Sequence, residues 1–282
     1  MLPGERREAR MRIGVLGCAG RMGRAVIDEL LAVADCTLAG GVDRADHPAL
    51  GQDLGLLAGH DPLGLIVNTD AAALIESADV VIEFSAPAAT AAHVALAAAC
   101  GTGHVIGTTG LSAEQDQAVR DAARRTAIMH AANMSLGVNL LLGLTEQVAR
   151  ALGPDAFDIE ICEMHHKHKI DAPSGTALAL GQAAARGRGV DLTEMAERGR
   201  DGIIGARRPG AIGFAALRGG DVVGDHVVIF AGAGERVELA HRATDRRIYA
   251  RGAVTAARWL RGRPAGLYGM ADVLGLEGGR RP

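Results

Sequence analysis

The segment RIGVLG at 12–17 runs straight into GCAGRMG at 17–23, and this junction constrains the fold more than any other feature. The first part reads as a buried strand. The second is a glycine-rich turn, and after it Met22, Val26 and Leu30 recur at helical spacing, with Ile27 and Leu31 alongside. Strand and helix signals then alternate. TLAGGV (37–42), DVVIEF (79–84), HVIG (104–107) and AIMH (127–130) read as strands. An Ala-rich helix over Pro87–Cys100 and a second helix over 112–125 separate the last three. Such alternation predicts a parallel sheet covered on both faces.

Glycines at 17, 20 and 23 let the backbone turn tightly and approach a pyrophosphate, while the following helix presents free N–H groups and its positive dipole end. This is the arrangement of a Rossmann dinucleotide-binding unit. The spacing is GxxGxxG, because Ala19 stands where a glycine is usual. Asp43 follows the second strand, where an acid accepts ribose hydroxyls, and Arg44 beside it suits a 2′-phosphate. The pair predicts tolerance of both NADH and NADPH. A strand-end turn with two solvated charges is the plainer alternative. Gly107, Thr108 and Thr109, then Phe84-Ser85, then Ala131, Ala132, Asn133 and Met134, end three more strands on the same rim, where ligands of open α/β sheets bind. For Gly107–Thr109 the alternative is a turn into a helix capped at Ser112, with Glu114 and Gln115 just after it.

The pattern changes after about Ser135. A long apolar helix over 136–152 precedes FDIEICEMH (157–165), which alternates Phe157, Ile159 and Ile161 with Asp158 and Glu160. Another helix starts near Ser174, and 186–210, rich in Gly and Arg, reads as an irregular excursion. Strand-like runs at 212–218, 222–230 and 235–242 follow without intervening helices, so the expected sheet is antiparallel or mixed. A final helix covers 246–261. The expected class is therefore α/β, with an N-terminal Rossmann domain and an α+β second domain. The expected divisions are an extension at 1–11, a dinucleotide-binding domain at 12–136 and 245–282, and a second domain at 137–244.

The most unusual segment is EMHHKHKIDAPSGT (163–176), which packs three histidines and two lysines into 165–169. A run like this is costly to bury and repels itself, so an anionic ligand is its natural partner. Pro173-Ser174-Gly175-Thr176 opens a helix whose free N–H groups suit a carboxylate. His165, His166 and Lys169 offer proton donors near neutral pH. The alternatives are a solvated basic loop or a zinc site. The two lysines argue against a cation, and neither paired cysteines nor HExxH spacing supports a metal, so none is expected.

Composition excludes other classes. A formal net charge of -3 points neither to nucleic acid nor to an anionic membrane. Cys18, Cys36, Cys100 and Cys162 lack metal-ligand spacing and read as reduced thiols of a cytoplasmic protein. No apolar run is long enough to cross a bilayer. The charged start MLPGERREAR lacks the apolar stretch of a secretory signal.

The motifs GCAGRMGR, IGTTG, AANMSLGVN, EMHHKHKIDAPSGTA and RRPGAIGFAALRGGDVVGDH resemble, in order and separation, those of the 4-hydroxy-tetrahydrodipicolinate (dihydrodipicolinate) reductase family. The resemblance spans Arg12 to Leu276. It implies a Rossmann domain completed by C-terminal residues, an inserted domain for substrate binding and oligomerisation, and a homotetramer built through that domain's sheet. It further implies hydride transfer from NADPH or NADH to a small cyclic dicarboxylate in diaminopimelate and lysine biosynthesis. The implied cofactor contacts are Gly17, Cys18, Ala19, Gly20, Arg21, Met22, Asp43, Arg44, Gly107, Thr108, Thr109, Ala131, Ala132, Asn133 and Met134. His165 is the implied proton donor/acceptor and Lys169 the proton donor, with His166, Gly175 and Thr176 on the substrate carboxylates. Met134 stands where an aromatic is common, Cys18 fills a small-residue position, and 186–206 matches poorly. Two alternatives stay open on the residues: a reductase of another small imine or dicarboxylate, and a non-catalytic nucleotide-binding sensor.

Overall fold

Five of the six residues of MRIGVL are buried, because this strand, β1 (Met11–Leu16), is covered on both faces. The computed structural model describes residues 10–276, so the expected extension lies outside the described residues except for Arg10 and Met11. Met11 itself opens the strand and is buried. Helix α1 (Arg21–Leu31) follows, turning Gly23, Val26, Ile27 and Leu30 inward. After β2 (Cys36–Val42) come α2 (Leu54–Leu57), β3 (Val67–Asn68) and α3 (Ala71–Ser77), none of which the hydrophobic pattern reveals. The alternation then continues through β4 (Val80–Glu83), α4 (Pro87–Cys100), β5 (Gly103–Ile106), α5 (Ala113–Ala123) and β6 (Ala127–His130). Pro87 at the first turn and left-handed Gly101 after the last bound α4. A capping box of Ser112 and Gln115 starts α5.

The chain next forms α6 (Leu136–Ala151), β7 (Phe157–His165), α7 (Gly175–Arg188), α8 (Leu192–Met195), β8 (Ala196–Glu197), β9 (Ile212–Arg218), β10 (Gly224–Gly232) and β11 (Glu235–Ala243). It ends with α9 (Arg247–Leu260), β12 (Gly266–Tyr268) and α10 (Met270–Val273). Two compact units result, one running to Met134 and resuming at Arg247, the other spanning Ser135–Arg246.

In the first unit seven parallel strands lie in the order β12-β6-β5-β4-β1-β2-β3. The order reverses between β1 and β4, which opens a crevice beyond their carboxyl ends. Helix α9 belongs to this unit, packing against α1 and against β4 to β6. In the second unit the strand order is β11-β10-β7-β9-β8. The pairs β7–β9 and β8–β9 are parallel, whereas β10 runs antiparallel to both neighbours, so the sheet is mixed. Ile159, Ile161, Phe214, Val228 and Phe230 face α6 and α7 to form its core. The stretch 186–210 is more ordered than its Gly/Arg content implies. Arg186 and Arg188 sit in the last turn of α7, where cations favour the carbonyl end, and left-handed Gly189 closes the helix. Residues 192–197 then supply α8 and edge strand β8.

Candidate functional site

In the first unit the turn from β1 to α1 is shaped by its glycines. Gly17 has φ +79°, and a Cβ there would lie 2.2 Å from the Phe84 carbonyl oxygen. A Cβ at Gly23 would lie 2.1 Å from the Gly17 carbonyl, so only glycine lets α1 pack this closely on the turn. Gly20 is the N-cap and no side chain caps the helix, which leaves the first turn for an anion. A cavity of about 540 Å³ opens at this point, lined by Gly17, Gly20, Asp43, Arg44, Phe84 and Ser85 among others. The Asp43 carboxylate accepts the Ala19 N–H at 2.9 Å and the Arg44 N–H at 2.9 Å, fixing the glycine turn to the end of β2. The Arg44 guanidinium pairs with exposed Asp46 at 3.1 Å. A bare helix start, a backbone cradle and an acid–arginine pair at a sheet switch point fit a dinucleotide.

The remaining expected cofactor residues are distributed differently. Cys18 and Ala19 are buried beneath the turn, and burial followed by the Asp43 charge pushes the Cys18 thiol up to about 12. Arg21 and Met22 open α1. Gly107, Thr108 and Thr109 follow β5, and Ala131, Ala132, Asn133 and Met134 follow β6, further along the same edge and outside that cavity. The Thr108 hydroxyl accepts the Ser85 N–H at 3.0 Å, tying the ends of β4 and β5 together. Met134 is buried at 2 % exposure, so its side chain belongs to the core.

Beneath Ser85 lies a group the sequence reading passed over. Glu83, fully buried at the end of β4, accepts hydrogen bonds from the Ser85 hydroxyl, the Thr90 hydroxyl at 3.1 Å and His93 Nδ1 at 2.9 Å. His104 Nε2 lies 2.9 Å from its other oxygen. Burial pushes this carboxyl up, but the two histidines outweigh it and hold the pKa well below the carboxylate range. A glutamate inside the apolar run DVVIEF was the available signal.

In the second unit, β7 carries Glu163 and His165 inward, at 1 % and 8 % exposure. Glu163 Oε2 lies 2.6 Å from His165 Nδ1, and Arg218 donates to both carboxylate oxygens at 2.8 and 2.9 Å. The Ser174 N–H donates to Glu163 Oε1 at 3.1 Å. Burial raises the Glu163 pKa, and Arg218 and His165 together more than reverse this, so the carboxylate stays ionised. The His165 ring meets the His226 ring edge-on at 5.1 Å. His226 is buried, and desolvation, then the proximity of His165, depresses its pKa to about 4. Its Nε2 is 3.1 Å from the Ser174 hydroxyl, which also accepts the Ala177 N–H at 3.1 Å and so caps α7.

The structure brings the expected substrate residues together around this network. His166 follows His165 at the end of β7, and desolvation, then Arg246, lowers its pKa and favours the neutral ring. The Lys169 ammonium pairs with Asp171 at 2.8 Å. Gly175 and Thr176 form the first turn of α7. The basic run is balanced in part by the protein's own Glu163 and Asp171. Arg218 and His226 were missed because only strand register brings them here, Arg218 opposite His165 and His226 opposite Glu163. Among the described residues no group of three or more His, Cys, Asp or Glu side chains is placed to hold a metal ion. No helix there is long and apolar enough to cross a membrane.

A family model described as dihydrodipicolinate reductase, N-terminus, matches residues 11–134, and one described as dihydrodipicolinate reductase, C-terminus, matches 137–274. The chain belongs to the dihydrodipicolinate reductase family. The 4-hydroxy-tetrahydrodipicolinate reductase of Methylocella silvestris is 56% identical over 266 residues, covering 94% of this chain and 97% of the relative. That of Parvibaculum lavamentivorans is 56% identical over 270 residues, covering 95% and 99%. Among solved structures, a dipicolinate-bound dihydrodipicolinate reductase from Paenisporosarcina sp. TG-14 is similar in fold, with TM-score 0.75 at 24% identity over 93% of this chain and 98% of that one. An amine dehydrogenase from Mycobacterium smegmatis shares the fold at TM-score 0.58 and 15% identity, over 93% and 96%.

Proposed function

We propose that this member of the dihydrodipicolinate reductase family is an NAD(P)H-dependent 4-hydroxy-tetrahydrodipicolinate reductase of diaminopimelate and lysine biosynthesis. The observation that carries the reading is the joining of His165 to the start of α7 through one buried carboxylate, Glu163, with the His166–Lys169 run following directly from the same strand. That is a proton donor set beside an anion cradle, which reduction of a cyclic dicarboxylate requires.

When bound, NAD(P)H supplies a hydride to the substrate ring; with one proton added and water lost from the 4-hydroxy form, the product is tetrahydrodipicolinate. On the cofactor side, the glycine turn and α1 start receive the pyrophosphate, and Asp43 and Arg44 face the adenosine ribose from the cavity wall. Because that wall offers both an acceptor and a cation, either NADH or NADPH can be used. The ends of β5 and β6, from Gly107 and Ala131 onward, are the nicotinamide side of the edge. On the substrate side, His166, Gly175 and Thr176 take the carboxylates. Lys169 adds charge there and is the proton donor as negative charge develops. His165, with Nδ1 held by Glu163, keeps Nε2 for donating or accepting a proton.

The working form is a cytoplasmic homotetramer. Support for the assembly comes from the second sheet's face opposite α6 and α7, where Cys162, Met164, Ala215, Leu217, Val227 and Ile229 stay partly or fully exposed. The deciding assay follows NADH and NADPH oxidation with substrate generated in situ by the preceding synthase from pyruvate and aspartate semialdehyde. Oxidation that depends on the synthase is expected. Its absence with both cofactors overturns the assignment.

A further inference from the structure

We propose that Glu163 is a positioning residue that serves both halves of the substrate site, setting the His165 ring for proton transfer and holding the start of α7 for the substrate carboxylate. The inference rests on the reductase reading above and adds a residue to it. A carboxylate has about four acceptor positions, and at Glu163 four are used. Oε2 takes His165 Nδ1 and one Arg218 nitrogen, while Oε1 takes the Ser174 N–H and the other Arg218 nitrogen.

This geometry has two consequences. An anionic acceptor on Nδ1 fixes the proton there in the neutral ring and directs Nε2 to the chemistry, and it stabilises the ring once protonated. Removing the charge releases the tautomer. The second consequence passes through Ser174, whose N–H binds Glu163 while its hydroxyl caps α7. Ser174 immediately precedes Gly175 and Thr176, so the register of the helix start depends on the same carboxylate. His226 braces the arrangement from β10, edge-on to the His165 ring and 3.1 Å from the Ser174 hydroxyl. Arg218, whose side chain is 21% exposed, anchors the carboxylate from β9 through both of its oxygens.

A positioning role makes a prediction that a general packing role does not. If Glu163 acts on turnover through His165, its removal costs little once His165 is gone, whereas its effect on carboxylate binding persists. The test compares the wild-type chain, Glu163→Gln, His165→Asn and the double variant. Turnover is read with synthase-generated substrate, and binding of the planar dicarboxylate dipicolinate is read by calorimetry with NADH present. Glu163→Gln should lower kcat at least about 10-fold and His165→Asn on the order of 100-fold. In the His165→Asn background, Glu163→Gln should cost less than about 3-fold in kcat while still weakening dipicolinate several-fold. Losses in kcat that multiply in the double variant, or dipicolinate binding that Glu163→Gln leaves unchanged, overturn the proposal. Should Glu163→Gln fail to fold, Arg218→Gln releases the carboxylate more gently and must show the same pattern of non-additive kcat and weakened binding, or the proposal falls. A wild-type chain that neither turns over nor binds dipicolinate overturns the reductase reading and takes this inference with it; additive losses in an active enzyme overturn only the role of Glu163.

Discussion

At Gly17 the backbone is left-handed and the space for a side chain is already filled by the Phe84 carbonyl, 2.2 Å from where a Cβ would lie. Gly17→Ala must therefore move the turn away from β4. We expect a stability loss of roughly 1–3 kcal/mol and about a 10-fold or greater rise in the NADH dissociation constant by fluorescence titration. Unchanged affinity would mean the turn does not touch the cofactor. His226 makes a prediction about pH. Its folded pKa is about 4 against an ordinary 6.5, so between those values the unfolded chain binds a proton that the folded chain refuses. Its contribution is complete above about pH 6.5 and is lost as pH falls toward 4, amounting to roughly 3 kcal/mol by the lower limit. Glu163, whose pKa is lowered, acts in the same direction below the carboxylate range. Thermal melts should fall between pH 7 and pH 5, and His226→Asn should flatten that slope; an equal slope in both proteins would refute the assignment. These residues also mark the limit of reading the sequence. His165 and Lys169 stood out because like charges crowd one segment. Glu163 shares the inward face of β7 with His165 by simple alternation, so its signal was present and unused. His226 carried none, since its partners lie across the β7–β10 register.

Elements with a strong period were legible and short ones were not. Pro87–Cys100, bounded by a proline and a left-handed glycine, coincides with the expected helix. By contrast β3 has two residues and α2 four, too few for any period to repeat. The stretch after α7 was hard to read for another reason: its Gly and Arg content suggested an irregular excursion, yet several of its arginines are structural. Arg207 donates to Asp158 at 2.7 Å, to Glu160 at 2.8 Å, and to the carbonyls of Ile159 and Ala211 at 2.9 and 2.6 Å. It thereby ties the approach to β9 against β7. Its side chain is 20% exposed, so these bonds are sheltered from water. Arg207→Met keeps the stem and removes the donors. The expected cost is about 2 kcal/mol, and trypsin should cut after Arg198 or Arg200 several times faster than in the parent. Glu160 would keep Arg200 as a partner, which limits the loss. Cleavage at the parental rate would show that this segment is held by other contacts.

For the molecule as a whole, the two sheets solve the problem of their faces differently. The parallel sheet is covered on both sides by its own helices, as its continuous apolar strands require. Among the described residues of its unit the mixed sheet has helices on one face, and its strands alternate accordingly, with β7 and β10 switching between buried and half-exposed residues. Yet the alternation is not from apolar to polar. Opposite α6 and α7, Cys162 pairs with Val227 and Ala215, Met164 with Leu217, and Glu160 with Ile229, so the half-exposed positions are mostly apolar. Charges stand around them: Asp158, Glu160, Asp225 and Arg242. An apolar centre with a charged rim is how a surface that meets another protein surface is built. Four chains associating through such faces would bury what the single chain leaves open. Val227 and Ile229 sit at the centre of that face on β10, next to but outside the His226 side of the strand. Replacing both by glutamate places like charges on every copy at the contact, without altering the inward residues Val228 and Phe230. Sedimentation of the native chain should give a tetramer, and the double variant a smaller species with its secondary structure intact. A native chain that sediments as a monomer, or a variant that remains tetrameric, would rule this face out as the assembly surface.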